Sequence, residues 1–93
     1  MNILFVHQNF PGQFKHLAPA LAQLGHRVIA LTMQKSEQTR WKGVELFPYA
    51  VSQGSTPGVH PWVTDFETKI IRAEGAFRAC VQLKEQGFTP DAI

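Results

Sequence analysis

The chain opens on an unbroken apolar run, Ile3-Leu4-Phe5-Val6, within residues 2–7. A short run without polar alternation predicts a strand covered on both faces, as in a parallel sheet. Asn9, Pro11 and Gly12 then end the strand within 8–12. Over 13–24 the apolar residues fall at helical spacing: Phe14, Leu17, Ala18, Leu21 and Leu24. Gly25 takes the C′ position of this helix. Pro19 lies inside it, either tolerated near the first turns or producing a kink. A second buried strand follows over 27–32, built on Val28, Ile29, Ala30 and Leu31.

Residues 33–42 are polar and read as loop, and 43–48 hold a third strand around Val44, Leu46 and Phe47. Residues 49–62, with Ser52, Gly54, Ser55, Pro57, Gly58 and Pro61, read as an irregular surface loop, long enough to be functional or mobile. Thr64 or Asp65 caps a long second helix, with Glu67 or Thr68 in its first turn. Phe66, Ile70, Ala73, Phe77, Cys80 or Val81, and Leu83 or Lys84 trace one face, and Gly87 ends the helix. After the turn Thr89-Pro90-Asp91, Ala92 and Ile93 read as the first residues of a fourth strand. Strand and helix alternate, which predicts an α/β fold: a Rossmann-like three-layer parallel sheet, partial, with about three to four strands, two main helices and right-handed crossovers.

With 93 residues there is room for one domain and a modest core. Apolar residues at 44% and charged residues at 17% are a globular balance that argues against whole-chain disorder. The nine Lys and Arg residues are scattered and the net charge is +2, so no basic stripe suggests nucleic acid as a partner. A single cysteine, Cys80, cannot form an internal disulfide and is compatible with a reducing compartment. The first apolar run is too short for a signal-peptide core, and no stretch approaches the length of a membrane span. The expected location is therefore the cytoplasm, with association at a membrane surface left open because that needs only a patch.

The residues that carry chemistry are few. In open α/β sheets ligands sit at the C-terminal ends of the strands, which points to the loop 7–12. Gly12 lets a ligand approach the backbone, and Gln13 supplies an early helix N–H where an anion is favoured. In the structural alternative Pro11-Gly12 only makes the turn and Asn9 caps the helix. Histidine as a residue type suits acid–base work, so His7 is either an acid–base or ligand-contacting group, or a strand-end histidine bonded to a neighbouring carbonyl. His16 and Lys15 read as a solvated helix face, and His26 as a partner of the first helix's C-terminus. The four histidines lack zinc spacing and have no acidic or cysteine cluster beside them, so no metal site is expected. Ser52 and Ser55 lack a nucleophile-elbow sequence, and Cys80 on an apolar helix face reads as inert packing. No catalytic residue is assigned. Trp62 and His60 either form a flexible ligand-contacting rim or belong to a disordered linker in which Trp62 anchors the next helix. Trp41, an aromatic in a polar loop, reads as a packing anchor. A dinucleotide module needs G-x-G-x-x-G after the first strand and an acid at the end of the second. Here the loop reads Gln8-Asn-Phe-Pro-Gly12 and the strand ends in Thr32-Met33. A receiver module needs acids where His7 and Pro48 stand.

Pro11-Gly12, the helix from Leu17 to Ala22, Gly25-His26 and the strand Val28 to Thr32 together resemble the start of family 4 glycosyltransferases. Pro90-Asp91-Ala92-Ile93 is similar to the entry of that family's fourth strand, while 33–88 match it only in layout. The resemblance implies two Rossmann-like domains, the GT-B fold. In that arrangement the N-terminal domain binds mainly the acceptor, and a C-terminal domain with paired glutamates binds the nucleotide sugar. Residues 1–93 then correspond to part of the N-terminal, acceptor-side domain, without the donor domain and inactive alone. His7, Gln8, Asn9, Gly12 and Gln13 are the candidate substrate-binding set, with Gln8 and Asn9 hydrogen-bonding sugar hydroxyls. No cofactor is expected in these residues, and a nucleotide sugar is expected for the full enzyme. A non-catalytic flavodoxin- or Rossmann-like interaction module is the alternative. Because the fourth strand stops at Ile93, an excised piece is expected, with the edge of the first strand open to a homodimer.

Overall fold

The computed structural model describes residues 1–34, 38–51 and 54–93. Ser52 and residues 35–37 of the expected 33–42 loop lie outside that set. Strands β1 (Asn2–Val6), β2 (Arg27–Thr32), β3 (Arg40–Trp41) and β4 (Val44–Pro48) form a sheet of order β1-β2-β4-β3. β1, β2 and β4 run parallel, and β3 lies antiparallel on the edge of β4. The helices are α1 (Leu17–Gln23) and α2 (Pro61–Glu85).

The apolar runs sort by strand pleat. Ile3, Val28, Ala30 and Val44 join Phe10 and Ala18 on the α1 side. Leu4, Ile29 and Leu31 join Ala79, Leu83 and Phe88 on the α2 side. Both faces of β1 and β2 are thus covered, which is why these strands read as continuous apolar runs rather than alternating ones. The result is the three-layer, mostly parallel arrangement of a partial Rossmann-like fold.

The end of the chain returns beside β1. Ala92 forms a parallel bridge to Ile3, and the Leu4 N–H donates to the Ala92 carbonyl at 2.9 Å. The Asn2 N–H donates to Asp91 Oδ2 at 2.7 Å. Ile3 also pairs with Val28 of β2, so β1 is flanked on both sides at this level. The edge expected to be open is occupied along its first residues by this return.

Four local expectations are corrected. The helix expected over 13–24 is a 3-10 turn at Gly12–Phe14 followed by α1. Pro19 is the third residue of α1, where its missing N–H would have had no intrahelical partner, so it fits the first turn. The polar loop 33–42 contains β3, folded onto β4 by a two-residue turn. Its central residues, Lys42 (φ 48°) and Gly43 (φ 85°), match the twist of a hairpin. α2 begins at Pro61 rather than near Thr64 or Asp65. His60 is its N-cap, its Nδ1 accepting the Trp62 N–H at 3.1 Å, and proline is pre-set for a first helical turn. Finally, the apolar face traced by Phe66, Ile70 and Phe77 is the outer face of α2. These three side chains are more than half exposed, and Trp62, 83% exposed, stands edge-on to the His60 ring at 5.6 Å. The Cys80 and Leu83 end of the expected face does turn to the sheet, joined there by Ala79, and Gly75 rests on the segment that leaves β4.

That close approach is tightest at Gly75. A Cβ there would stand 2.9 Å from the Ala50 carbonyl oxygen and 3.4 Å from Tyr49 Cδ2. The middle of α2 therefore rests on the segment that leaves β4, which carries the preceding turn of the helix over the C-terminal ends of the strands.

Candidate functional site at the strand ends

The C-terminal ends of β1, β2 and β4 meet in one rim. The chain leaves β1 at His7, whose N–H still donates to Leu31 at 3.0 Å. The His7 ring folds over the following turn. Its Nδ1 accepts the Asn9 N–H at 3.1 Å, and the ring stands edge-on to Phe14 with centroids 5.8 Å apart. Gly12, at φ 45°, lies directly beneath, and a Cβ there would be 2.7 Å from His7 Cε1. Nδ1 is an acceptor here, so a neutral His7 carries its proton on Nε2. His7 thus braces the loop through a backbone N–H, not through a neighbouring carbonyl.

Gln8 ties this loop to the next strand. Its carbonyl accepts the Met33 N–H at 3.0 Å and the Thr32 hydroxyl at 3.2 Å, and Thr32 Oγ1 in turn accepts the Gln34 N–H. The Gln8 side chain reaches further, its Oε1 accepting from Arg72 Nη1 at 2.8 Å. Gln8, Asn9, Gly12 and Gln13 are all exposed, and His7 is half-buried. Asn9 does not cap the following turn: Pro11 holds that position, without a side-chain hydrogen bond.

The loop before α2 closes the rim from the other side. Thr56 gives both its N–H and its hydroxyl to the Glu67 carboxylate, the latter at 2.8 Å. The Ser55 and Thr68 hydroxyls are 2.6 Å apart. Met33, Val51, Ser55, Thr68, Ile71 and Arg72 line a cavity of about 180 Å³ between this loop and α2. Tyr49 is half-buried beside it. Burial pushes its phenol above the ordinary range, and the Arg72 charge works against that rise.

Arg72 and Tyr49 are the rim residues that sequence reasoning did not single out, while Ser55 was weighed only as a nucleophile and Thr68 only as a first-turn residue of the second helix. Gln8 and Arg72 are 64 positions apart, and nothing local to either announces the pairing. The remaining candidates lie elsewhere. His26 sits under the C-terminus of α1, its N–H donating to Leu21 and its Nδ1 3.1 Å from the Met1 amine. His16 is the N-cap of α1. Trp41 packs edge-on against Phe10 at 5.7 Å, with the Lys42 ammonium over its ring. Cys80 is half-buried at the second core cluster, and burial raises its thiol pKa. Among the described residues no group of three or more His, Cys, Asp or Glu side chains is placed to hold a metal ion, and no helix is long and apolar enough to cross a membrane.

A parallel α/β sheet with a hydrogen-bonding rim at its strand ends is the architecture of a Rossmann-like ligand-binding domain. The chain belongs to the glycosyl transferase family 4 group, whose model it matches over residues 24–93. That span runs from the C-cap of α1 to Ile93 and takes in Tyr49, Glu67 and Arg72. It therefore covers the stretch in which the sequence resemblance held only in layout. No curated protein and no solved structure matches the chain.

Proposed function

We propose that this chain serves as the acceptor side of a GT-B glycosyltransferase, one that moves a sugar from a nucleotide-sugar donor to an acceptor bound at the rim of His7, Gln8, Asn9, Gly12 and Gln13. The observation that carries the reading is the rim itself: exposed amide side chains on a loop braced by His7, at the strand ends of a family 4 domain. Carboxamides offer both donors and acceptors, as sugar hydroxyls require. Transfer of a sugar further needs groups that stabilise the charge developing on a leaving diphosphate. The rim's one arginine is Arg72, and the reading assigns the donor's diphosphate to a second domain. The 93 residues alone then bind acceptor without turning over.

The test is a pair of measurements on the purified chain. Sugars added to isotope-labelled protein are expected to shift the backbone amides of residues 8–13, and a panel of nucleotide sugars is expected to remain unconsumed. Sugar transfer by the chain alone would overturn the acceptor-only role. Shifts confined to another surface would overturn the site.

A further inference from the structure

We propose that the acceptor taken at this rim carries an oxyanion, a phosphate or a carboxylate, and that Arg72 is the residue that selects it. The inference rests on the acceptor-side reading above and names the substrate class of that same site.

The chain has four arginines. Arg27 and Arg40 both sit against Glu45, and Arg78 against Glu74. Arg72 is held instead by a neutral amide, Gln8 Oε1. The acids nearest to it along α2 are engaged elsewhere. Glu67 is turned onto Thr56, Glu74 is paired with Arg78, and Asp65 is paired with Lys69 at 3.1 Å. Among the described residues Arg72 therefore carries a charge with no carboxylate against it, at the one place in the fold where a ligand is expected.

Its placement is built rather than incidental. Gly75 lets α2 lie against Tyr49 and Ala50, which brings the turn bearing Arg72 over the strand ends. Gln8 is fixed to β2 through its carbonyl, so its amide offers a defined anchor for one guanidinium N–H. A guanidinium has five N–H donors in a planar fork, so a second edge stays available after one N–H is anchored. That fork matches the two oxygens of a phosphate or carboxylate, and a charge-assisted pair of this kind is stronger than the bond to an amide it would supplement. The neighbouring cavity, with Arg72 in its wall, adds room for a small oxyanion. Exposed Arg72 is screened by solvent, so its effect is on selection between acceptors rather than on the fold.

The experiment follows the Arg72 Nε–Hε signal and the amides of 8–13 in labelled protein titrated with glucose, glucose 6-phosphate, glucuronate and inorganic phosphate. The expected result is that at least one of the two anionic sugars binds at least tenfold more tightly than glucose and moves both sets of signals. Which of the two does so distinguishes phosphate from carboxylate. In Arg72→Gln the anionic sugars are expected to bind no more tightly than glucose binds to the same variant, with the melting temperature retained, and Arg72→Lys is expected to recover only part of the advantage. Equal binding of glucose and the anionic sugars, unaffected by Arg72→Gln, would overturn this inference and leave the acceptor-side reading standing. Inorganic phosphate binding as tightly as glucose 6-phosphate, without shifts at 8–13, would mean an anion site separate from the acceptor and would also overturn it. Absence of shifts with all four would overturn both readings.

Discussion

Replacing Gly12 with alanine tests whether the rim is a braced structure or an ordinary surface turn. Gly12 is at φ 45°. Holding a residue with a side chain in that left-handed conformation costs about 1–2 kcal/mol. The added Cβ would also stand 2.7 Å from His7 Cε1 and 2.9 Å from Nε2, so the ring has to leave its position. Moving it breaks the bond from Asn9 N–H to Nδ1, worth about 0.5–1.5 kcal/mol. It also disturbs the edge-on contact with Phe14, worth about 0.5–1.5 kcal/mol for a ring pair. The combined loss is about 2–5 kcal/mol, a large share of the roughly 5–14 kcal/mol that a domain of this size commonly has. For domains of this length each kcal/mol moves the melting temperature by about 4–8 °C. A drop of about 8–40 °C is therefore expected by circular dichroism. The two contributions separate in the double variant His7→Ala/Gly12→Ala. There the backbone strain persists but the collision does not, so the double variant should lose about 1–3 kcal/mol less than the two single losses together. A Gly12→Ala melting temperature within about 2 °C of the parent, or strict additivity in the double variant, would refute the brace.

Three further outcomes follow from the packing. Gly75→Ala gains about 1 kcal/mol of helix propensity but forces a Cβ to 2.9 Å from the Ala50 oxygen. Overpacking of that kind costs about 1–3 kcal/mol, so net destabilisation with shifted Tyr49 ring signals is expected, and a clean stabilisation would contradict the close approach. Leu83→Ala, at the heart of the α2-side cluster, should cost about 2–5 kcal/mol, read as a lower urea midpoint at unchanged slope. A loss under about 1 kcal/mol would mean that α2 does not seal this face. Cys80 has its thiol pKa raised from 9.0 by burial, so it should react with iodoacetamide more slowly than a free cysteine at pH 8. The linked stability should be complete below pH 9.0 and decline above it, because the unfolded chain ionises first. Reaction at the free-cysteine rate would place the thiol in solvent.

Much of the fold was legible because it depends on runs and periods within one element. The apolar run at Ile3 to Val6 and the second at Val28 to Leu31 located β1 and β2. The middle positions of both strands are buried, so no polar alternation interrupts the runs. Elements defined by pairing were harder to read. Arg40 and Trp41 carry no strand signal of their own, and they become β3 only because the Lys42-Gly43 turn lays them on β4. The outer face of α2 shows the opposite error. Phe66, Ile70 and Phe77 are spaced as a core face would be, yet they are exposed, and it is the Cys80 and Leu83 end of that face, with Ala79, that packs inward. Periodicity locates a stripe without saying how much of its length is turned inward.

The site divides along the same line, and the division explains why its two halves differ in kind. His7, Gln8, Asn9, Gly12 and Gln13 were nominated because position at the end of a first strand is a property of sequence order. Arg72 was invisible because its meaning depends on what surrounds it. An arginine in a helix that also carries Glu67 and Glu74 reads as one more solvated charge. Only the placement of those two acids on Thr56 and Arg78 leaves it facing the rim with an amide for a partner. Uncompensated charge is a property of the folded arrangement, created by what each neighbour has already bound. The loop after β1 can therefore be recognised from its order in the chain, whereas the lack of a carboxylate against Arg72, among the described residues, is set by the contacts its neighbours on α2 have made.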